Sequence, residues 1–378
     1  MKRLLFAVAA VAGMAAWGLA AARGDGADVD WLAAGVVTQA ASSPGRSVLG
    51  WHAFPDPAKF RVLGLPWFEE NKPKLWRMPA HAMGSLPKGV VSRSKVPSGG
   101  RILLKCTTTR LALRAVAGAG GRLARFDTYV NGRLCRPAGE GKGGEGDEFL
   151  LFEGLDSQEK EIVIYLPHLQ EVLVKAIGVD AQCRFSVPDR HYARRLPVVF
   201  YGSSVCQGSG TPGPGETYPA VLCRDLNLDF VNLGFGGAGK AERNVVELVK
   251  SIPACCYVFD LGKSYGMQDA AAFKAMLVAI RRSHPHTPIV AITPITSIKE
   301  VEQPSYSERS LHTRAVMRGA IHELIQGGEK QVFLVEGEDL IGFKDHAGLS
   351  KDGVHPSAQG YRIIATKLAP VLRKALEQ

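Results

Sequence analysis

The spacing of apolar residues changes character about halfway along the chain. Over residues 51–185 it is that of strands. Leu111, Leu113 and Ala115 alternate with Arg110, Ala112 and Arg114, the period-two pattern of a strand with one buried face. Residues 126–130 run into Asn131-Gly132, a pair suited to the positive φ angles of a tight hairpin. Residues 161–166 and 172–179 read as further strands, and the Gly- and Glu-rich residues 139–147 as a solvated loop. No long helix is expected here, so the pattern predicts a small antiparallel β-sandwich.

From residue 196 onward strands and helices alternate. Residues 197–201, 230–233, 257–261, 289–293 and 332–335 are short apolar runs. Between them, Val245, Leu248, Val249 and Ile252 fall on one helical face, as do Phe273, Met276, Leu277 and Ile280. A last helix carries Ile364, Leu368, Val371, Leu372 and Ala375. Five strands with helical crossovers predict an α/β domain over residues 196–378, its parallel sheet covered on both faces. Residues 186–195 link it to the β-sandwich of residues 51–185.

The chain opens on Lys2 and Arg3, an apolar stretch over residues 4–19, and Ala20-Ala21-Ala22. That order predicts a cleaved signal peptide over residues 1–22 and an exported protein, periplasmic or secreted. The stretch is short for an uncleaved anchor, and no stable membrane insertion is expected after cleavage. Residues 23–50, rich in Ala, Gly and Ser, read as a flexible lead-in. The 46 Lys and Arg exceed the 36 Asp and Glu by ten, and by eight without Lys2 and Arg3. The surplus lies in short pieces such as Arg194-Arg195 and Arg281-Arg282, so no nucleic-acid partner is expected. An attraction to acidic polymers is compatible with it. Seven cysteines without a C-x-x-C pair give no metal motif, and Cys223, Cys255 and Cys256 read as buried thiols. There is room for one disulfide in the first half.

Candidate chemistry lies in the loops after the strands, because a parallel sheet binds ligands beyond the C-terminal ends of its strands. Four loops fall there: Gly202-Ser203-Ser204-Val205-Cys206-Gln207-Gly208, Gly234-Phe235-Gly236-Gly237-Ala238-Gly239, Gly262-Lys263-Ser264-Tyr265-Gly266, and Asp352-Gly353-Val354-His355-Pro356. Gly210, Gly215 and Thr217 approach a phosphate loop, but Glu216 replaces its lysine and would repel phosphate. Gly234, Gly236 and Gly239, with Asp260 further on, approach a dinucleotide fingerprint. They sit at the second βα turn rather than the first, and that reading leaves Ser204 and His355 without a role. A serine on a sharp turn, with a histidine and an aspartate three residues apart on the same edge, instead fits nucleophilic catalysis. The imidazole takes the hydroxyl proton and the carboxylate orients the imidazole.

At these residues the sequence resembles the SGNH/GDSL esterase family. The first loop matches the block G-D-S-x-x-x-G with Ser203 in the Asp position, Gly237 matches the glycine of the second block, and Asp352 to Pro356 match D-x-x-H-P in full. The resemblance implies a flavodoxin-like five-stranded sheet, a Ser204–His355–Asp352 triad, and an oxyanion hole from the N–H groups of Ser204 and Gly237. The third block departs from the pattern. Ser264 stands where the family carries an Asn that donates to the oxyanion, and the neighbouring Lys263 is the rival donor. Arg125-Phe126-Asp127-Thr128-Tyr129 resembles the G-x-D-L-Y segment of a β-domain that precedes SGNH domains in bacterial proteins. That arrangement is similar to carbohydrate esterases that remove acetyl groups from polysaccharides. Trp51, Trp67 and Trp76 would serve either as a sugar platform or as sandwich packing. The expected function is an exported serine esterase acting on an acyl, chiefly acetyl, ester of a carbohydrate, without cofactor or metal. A glycan-binding protein on a decayed esterase fold is the alternative, and a dinucleotide-dependent enzyme the third reading.

Overall fold

In the N-terminal half the chain forms β1 (Leu49–Ala53), β2 (Arg61–Leu63), α1 (Phe68–Asn71), α2 (Lys88–Ser94), β3 (Arg101–Cys106), β4 (Leu111–Ala117), β5 (Asp127–Val130), β6 (Arg133–Cys135), β7 (Glu148–Phe152), β8 (Lys160–Tyr165), β9 (Val172–Asp180) and β10 (Phe185–Ser186). The computed structural model describes residues 48–118, 125–135 and 148–377. The expected signal peptide, the lead-in up to residue 47 and the 139–147 loop lie outside the described residues. β1 begins at Leu49, inside the stretch expected to be lead-in.

One antiparallel sheet has the order β1-β9-β4-β7, the other β10-β3-β8-β5-β6, with β2 also paired to β3. Leu111, Leu113 and Ala115 of β4 face the space between the sheets, where they join Ile177 and Val179 of β9 and Ile102 and Leu104 of β3 in one core. Asn131 and Gly132 take φ angles of 50° and 78° and close the β5–β6 hairpin. The second sheet is buried on both faces. Leu103, Val163 and Tyr165 turn away from the sandwich core and pack with Val198, Phe200 and Phe230 of the α/β half. For this reason β3 reads as a continuous apolar run rather than an alternation.

The C-terminal half contributes β11 (Val198–Gly202), α3 (Ser204–Gln207), α4 (Tyr218–Asp225), β12 (Phe230–Gly234), α5 (Arg243–Lys250), β13 (Cys256–Asp260), α6 (Ala271–Ser283), β14 (Ile289–Ile292), α7 (Lys299–Glu302), α8 (Pro304–Gln326), β15 (Val332–Val335), α9 (Gly337–Leu340) and α10 (Ala358–Glu377). Its five parallel strands take the order β12-β11-β13-β14-β15, the flavodoxin-like arrangement. Val198 and Phe200 face the side of α4 and α10, whereas Val199 and Tyr201 face α5, α6 and α8. The sheet is therefore covered on both faces. Among the described residues no helix is long and apolar enough to cross a membrane.

Segment 125–129 ties the halves together. Asp127 Oδ2 accepts from Gly215 N at 3.0 Å, and Tyr129 OH donates to Gly215 O at 3.4 Å. The glycine run that approached a phosphate loop is thus held against the sandwich. All seven cysteines are free thiols.

Candidate active site

β11 ends at Gly202 and the chain turns sharply at Ser203. The Ser203 N–H donates to Asp260 O at 2.7 Å, and its Oγ accepts from Val205 N at 3.3 Å, which caps the one-turn helix α3. Ser204 is the first residue of α3 and stays half-buried, its hydroxyl projecting beyond the sheet edge. Gly208, at φ 109°, ends the helix.

The fourth loop is a tight turn closed by Ser350 N on His355 O at 2.7 Å and by a bridge between Leu349 and Pro356. Asp352 Oδ1 accepts from Val354 N at 2.8 Å, His355 N at 2.9 Å and Ser350 Oγ at 2.9 Å. Its Oδ2 lies 2.6 Å from His355 Nδ1. Burial raises the carboxyl, but the hydrogen bonds from the His355 ring, His355 N, Val354 N and Ser350 outweigh it and hold Asp352 well below the usual carboxylate range. An ionised carboxylate only accepts, so Nδ1 carries the proton. His355 Nε2 then accepts from Ser204 Oγ, 2.8 Å away. Asp352 serves this turn and not α10, which begins six residues later at Ala358.

Two backbone donors, those of Ser204 and Gly237, belong to residues that line one cavity. Gly237 is exposed and takes φ +73°, a conformation that suits glycine, with nothing within 4 Å of where a Cβ would stand. Among the described residues neither the Ser204 N–H nor the Gly237 N–H has an acceptor. The loop is braced from behind. Gln207 Oε1 accepts from Gly236 N at 2.8 Å, while Gln207 Nε2 donates to His168 O of the sandwich at 3.1 Å. The fully buried Arg77 donates to Asn232 O at 2.8 Å and Gly234 O at 2.7 Å, and also to Val96 O at 2.6 Å and Arg93 O at 2.7 Å. Burial pushes its guanidinium down to about 9.

Ser204, Gly237, Ser264 and His355, one from each loop, line a single cavity of about 560 Å³. Ser264 ends the 3-10 turn Gly262–Ser264, and among the described residues its hydroxyl has no partner. Lys263 is engaged differently. Its Nζ lies 2.8 Å from Glu300 Oε1 as an ion pair rather than an aligned hydrogen bond. Glu300 in turn receives Arg314 at 2.8 and 3.1 Å. Burial pushes the Lys263 ammonium down to about 8 against the pull of Glu300. Asp260 lies at the floor, where burial pushes its carboxyl up to about 7 against a 3.1 Å hydrogen bond from Tyr218.

Several residues of the site escape sequence reasoning: Tyr306 and Arg309 on the cavity wall, and Glu300 and Arg314 behind Lys263. The helix α8 that carries Tyr306, Arg309 and Arg314 buries Ser310, Thr313 and Arg314 before Met317, Ala320 and Ile321. Its inward face is polar over the first turns, so apolar spacing gives no signal there. Of the aromatic candidates, none of the three tryptophans lines the cavity. Trp51 packs on Gly178 and under Arg114, Trp67 packs against the apolar layer on the α5 face of the sheet, and Trp76 donates to Glu171 at 2.8 Å. The glycine loop of the dinucleotide reading does not open a helix, since α5 starts at Arg243, and Asp260 is buried beneath Ser203.

A family model of GDSL-like lipases and acylhydrolases matches residues 195–373. None of the curated proteins matches the chain. A solved structure described as a GDSL-like lipase from Bacteroides ovatus is 21% identical, with a TM-score of 0.76 over 87% of this chain and 98% of that one. The salicylyl-acyltransferase SsfX3 of a tetracycline biosynthetic pathway is 23% identical, with a TM-score of 0.72 over 86% and 97%. The acetyl xylan esterase Est2A of the rumen bacterium Butyrivibrio proteoclasticus is 13% identical, with a TM-score of 0.55 over 88% and 99%. At these identities the likeness establishes the fold. The family match, carried by the same segment that holds all four loops, identifies residues 195–373 as a GDSL-like lipase/acylhydrolase domain, a domain of the carboxylic ester hydrolase class.

Proposed function

We propose that the protein is an exported serine esterase that removes acyl groups, chiefly acetyl, from a carbohydrate, with Ser204 as nucleophile, His355 as base and then acid, and Asp352 as its orienter. The observation that carries this reading is the continuous relay of 2.6 and 2.8 Å from Asp352 through His355 to Ser204, set beside two unpartnered N–H groups. Ser204 Oγ attacks the ester carbonyl and its proton passes to Nε2. The tetrahedral oxyanion receives hydrogen bonds from Ser204 N–H, Gly237 N–H and the Ser264 hydroxyl. Collapse breaks the bond to the alcohol, which leaves with the proton from His355. A water activated by the same ring then attacks the acyl-enzyme, and the acid departs.

Support for the substrate comes from two directions. One fold relative is named an acetyl xylan esterase, and a β-sandwich precedes the hydrolase half here too. Export rests on the order of charged, apolar and small residues over residues 1–22. The test is hydrolysis of 4-nitrophenyl acetate and acetylated xylan by purified protein. Ser204→Ala and His355→Ala should each lower kcat by about 10⁴–10⁶-fold. A Ser204→Ala variant as active as the parent would remove the assignment.

A further inference from the structure

Three cations that the esterase chemistry does not use line the cavity mouth. Arg93 from α2, Lys240 beyond the Gly237 loop and Arg309 from α8 all line the cavity and are exposed. Among the described residues none of the three has a carboxylate within ion-pair distance of its charged group. Arg93 reaches only Gly236 O at 3.4 Å, and Arg309 only the Tyr306 ring at 5.5 Å. The one carboxyl among the lining residues is Asp260, sealed at the floor under Tyr218. Lys263, a fourth cation on the wall, is already neutralised by Glu300. Three unpaired cations around one opening repel each other and focus a positive field into it, an arrangement that favours an anion at the mouth.

We infer that the substrate is an ester whose alcohol portion carries carboxylates, as an O-acetylated polyuronate does. This rests on the esterase reading above. With Ser204 inside the cavity and a small acyl group on it, the part of the substrate that reaches exposed Arg93, Lys240 and Arg309 is the alcohol. The half-buried Tyr306 ring on the same wall lies under Lys263 and Arg309, 5.4 and 5.5 Å from its centroid, and helps hold Arg309 at the cavity. The basic surplus of the whole chain acts in the same direction at longer range.

The experiment compares kcat/KM on O-acetylated polygalacturonate with that on an acetylated glucomannan of neutral backbone, at about 0.05 M and about 1 M salt, where the screening length falls from more than ~10 Å to ~3 Å. The acidic polymer should be preferred about tenfold at low salt, and the preference should vanish at high salt. In the double variant Lys240→Gln with Arg309→Gln the low-salt preference should shrink to about twofold or less. The wild-type salt dependence decides the matter even where that variant fails to fold. Equal rates on both polymers at both salt levels, with 4-nitrophenyl acetate still hydrolysed, would overturn the charge inference and leave the esterase reading standing. So would a preference confined to an anionic acyl group, as in 4-nitrophenyl hemisuccinate. Failure to hydrolyse any ester, 4-nitrophenyl acetate included, would overturn both.

Discussion

Ser264 and Lys263 are neighbours on one turn, yet their surroundings differ in kind. Lys263 is spent on Glu300, which Arg314 holds in place, so swinging its ammonium toward an oxyanion would leave a buried carboxylate less well paired. The Ser264 hydroxyl has no competing partner among the described residues. Ser264→Ala is therefore expected to lower kcat by about 10–10³-fold with little change in KM, because the bond it removes forms fully only in the transition state. Steady-state kinetics on 4-nitrophenyl acetate checks this. A large kcat loss in Lys263→Met with none in Ser264→Ala would reverse the assignment. Asp260 makes a second residue-level case. Its folded carboxyl titrates at about 7 against an ordinary 3.8, so the folded state holds a proton that the unfolded chain has released. Stability is full below the ordinary value and is lost as pH rises toward about 7. Asp260→Asn keeps an acceptor for Tyr218 and removes the titration. Denaturant melts at about pH 5 and pH 8 should show the parent losing stability relative to the variant as pH rises.

At the scale of elements, β11, β12 and β13, which end in the first three loops, were legible because each is a short apolar run buried on both faces. Observed and expected boundaries differ by a residue at most. The pairing of Asp352 with His355 was legible because the two share one turn, where the Asp also accepts from the backbone N–H groups of Val354 and His355. Helix α8 was not, for its buried face opens with polar residues that serve the site wall. Nor was the brace behind the Gly237 loop, because Arg77 is 155 residues from Asn232 in sequence and no local pattern links them. That guanidinium satisfies four carbonyls with no carboxylate partner. Arg77→Met would leave buried acceptors without donors and should destabilise the protein by roughly 3 kcal/mol or more. Because two of those carbonyls belong to the segment leading into the Gly237 loop, kcat should fall as well. Thermal melting and kinetics on the same preparation test both, and a stable variant with reduced kcat would separate positioning from folding.

For the molecule as a whole, the sequence divides into two grammars, and each half takes the predicted architecture. The sequence shows the change of period near residue 190 but not that Leu103, Val163 and Tyr165 of one half share a core with Phe200 and Phe230 of the other. Contact between distant apolar faces leaves no periodic trace. Through that shared core, and through Asp127, His168 and Arg77, the sandwich holds the loops that surround Ser204. In the proposed mechanism the whole arrangement serves one activated hydroxyl, and its reactivity is measured most directly by treating the folded protein with a fluorophosphonate and mapping the adduct by tandem mass spectrometry. A single adduct on Ser204, lost in His355→Ala, is the predicted result, since only a serine paired with a general base reacts at such rates. Folded protein that takes up no label, or takes it up on another serine, would contradict Ser204 as the nucleophile.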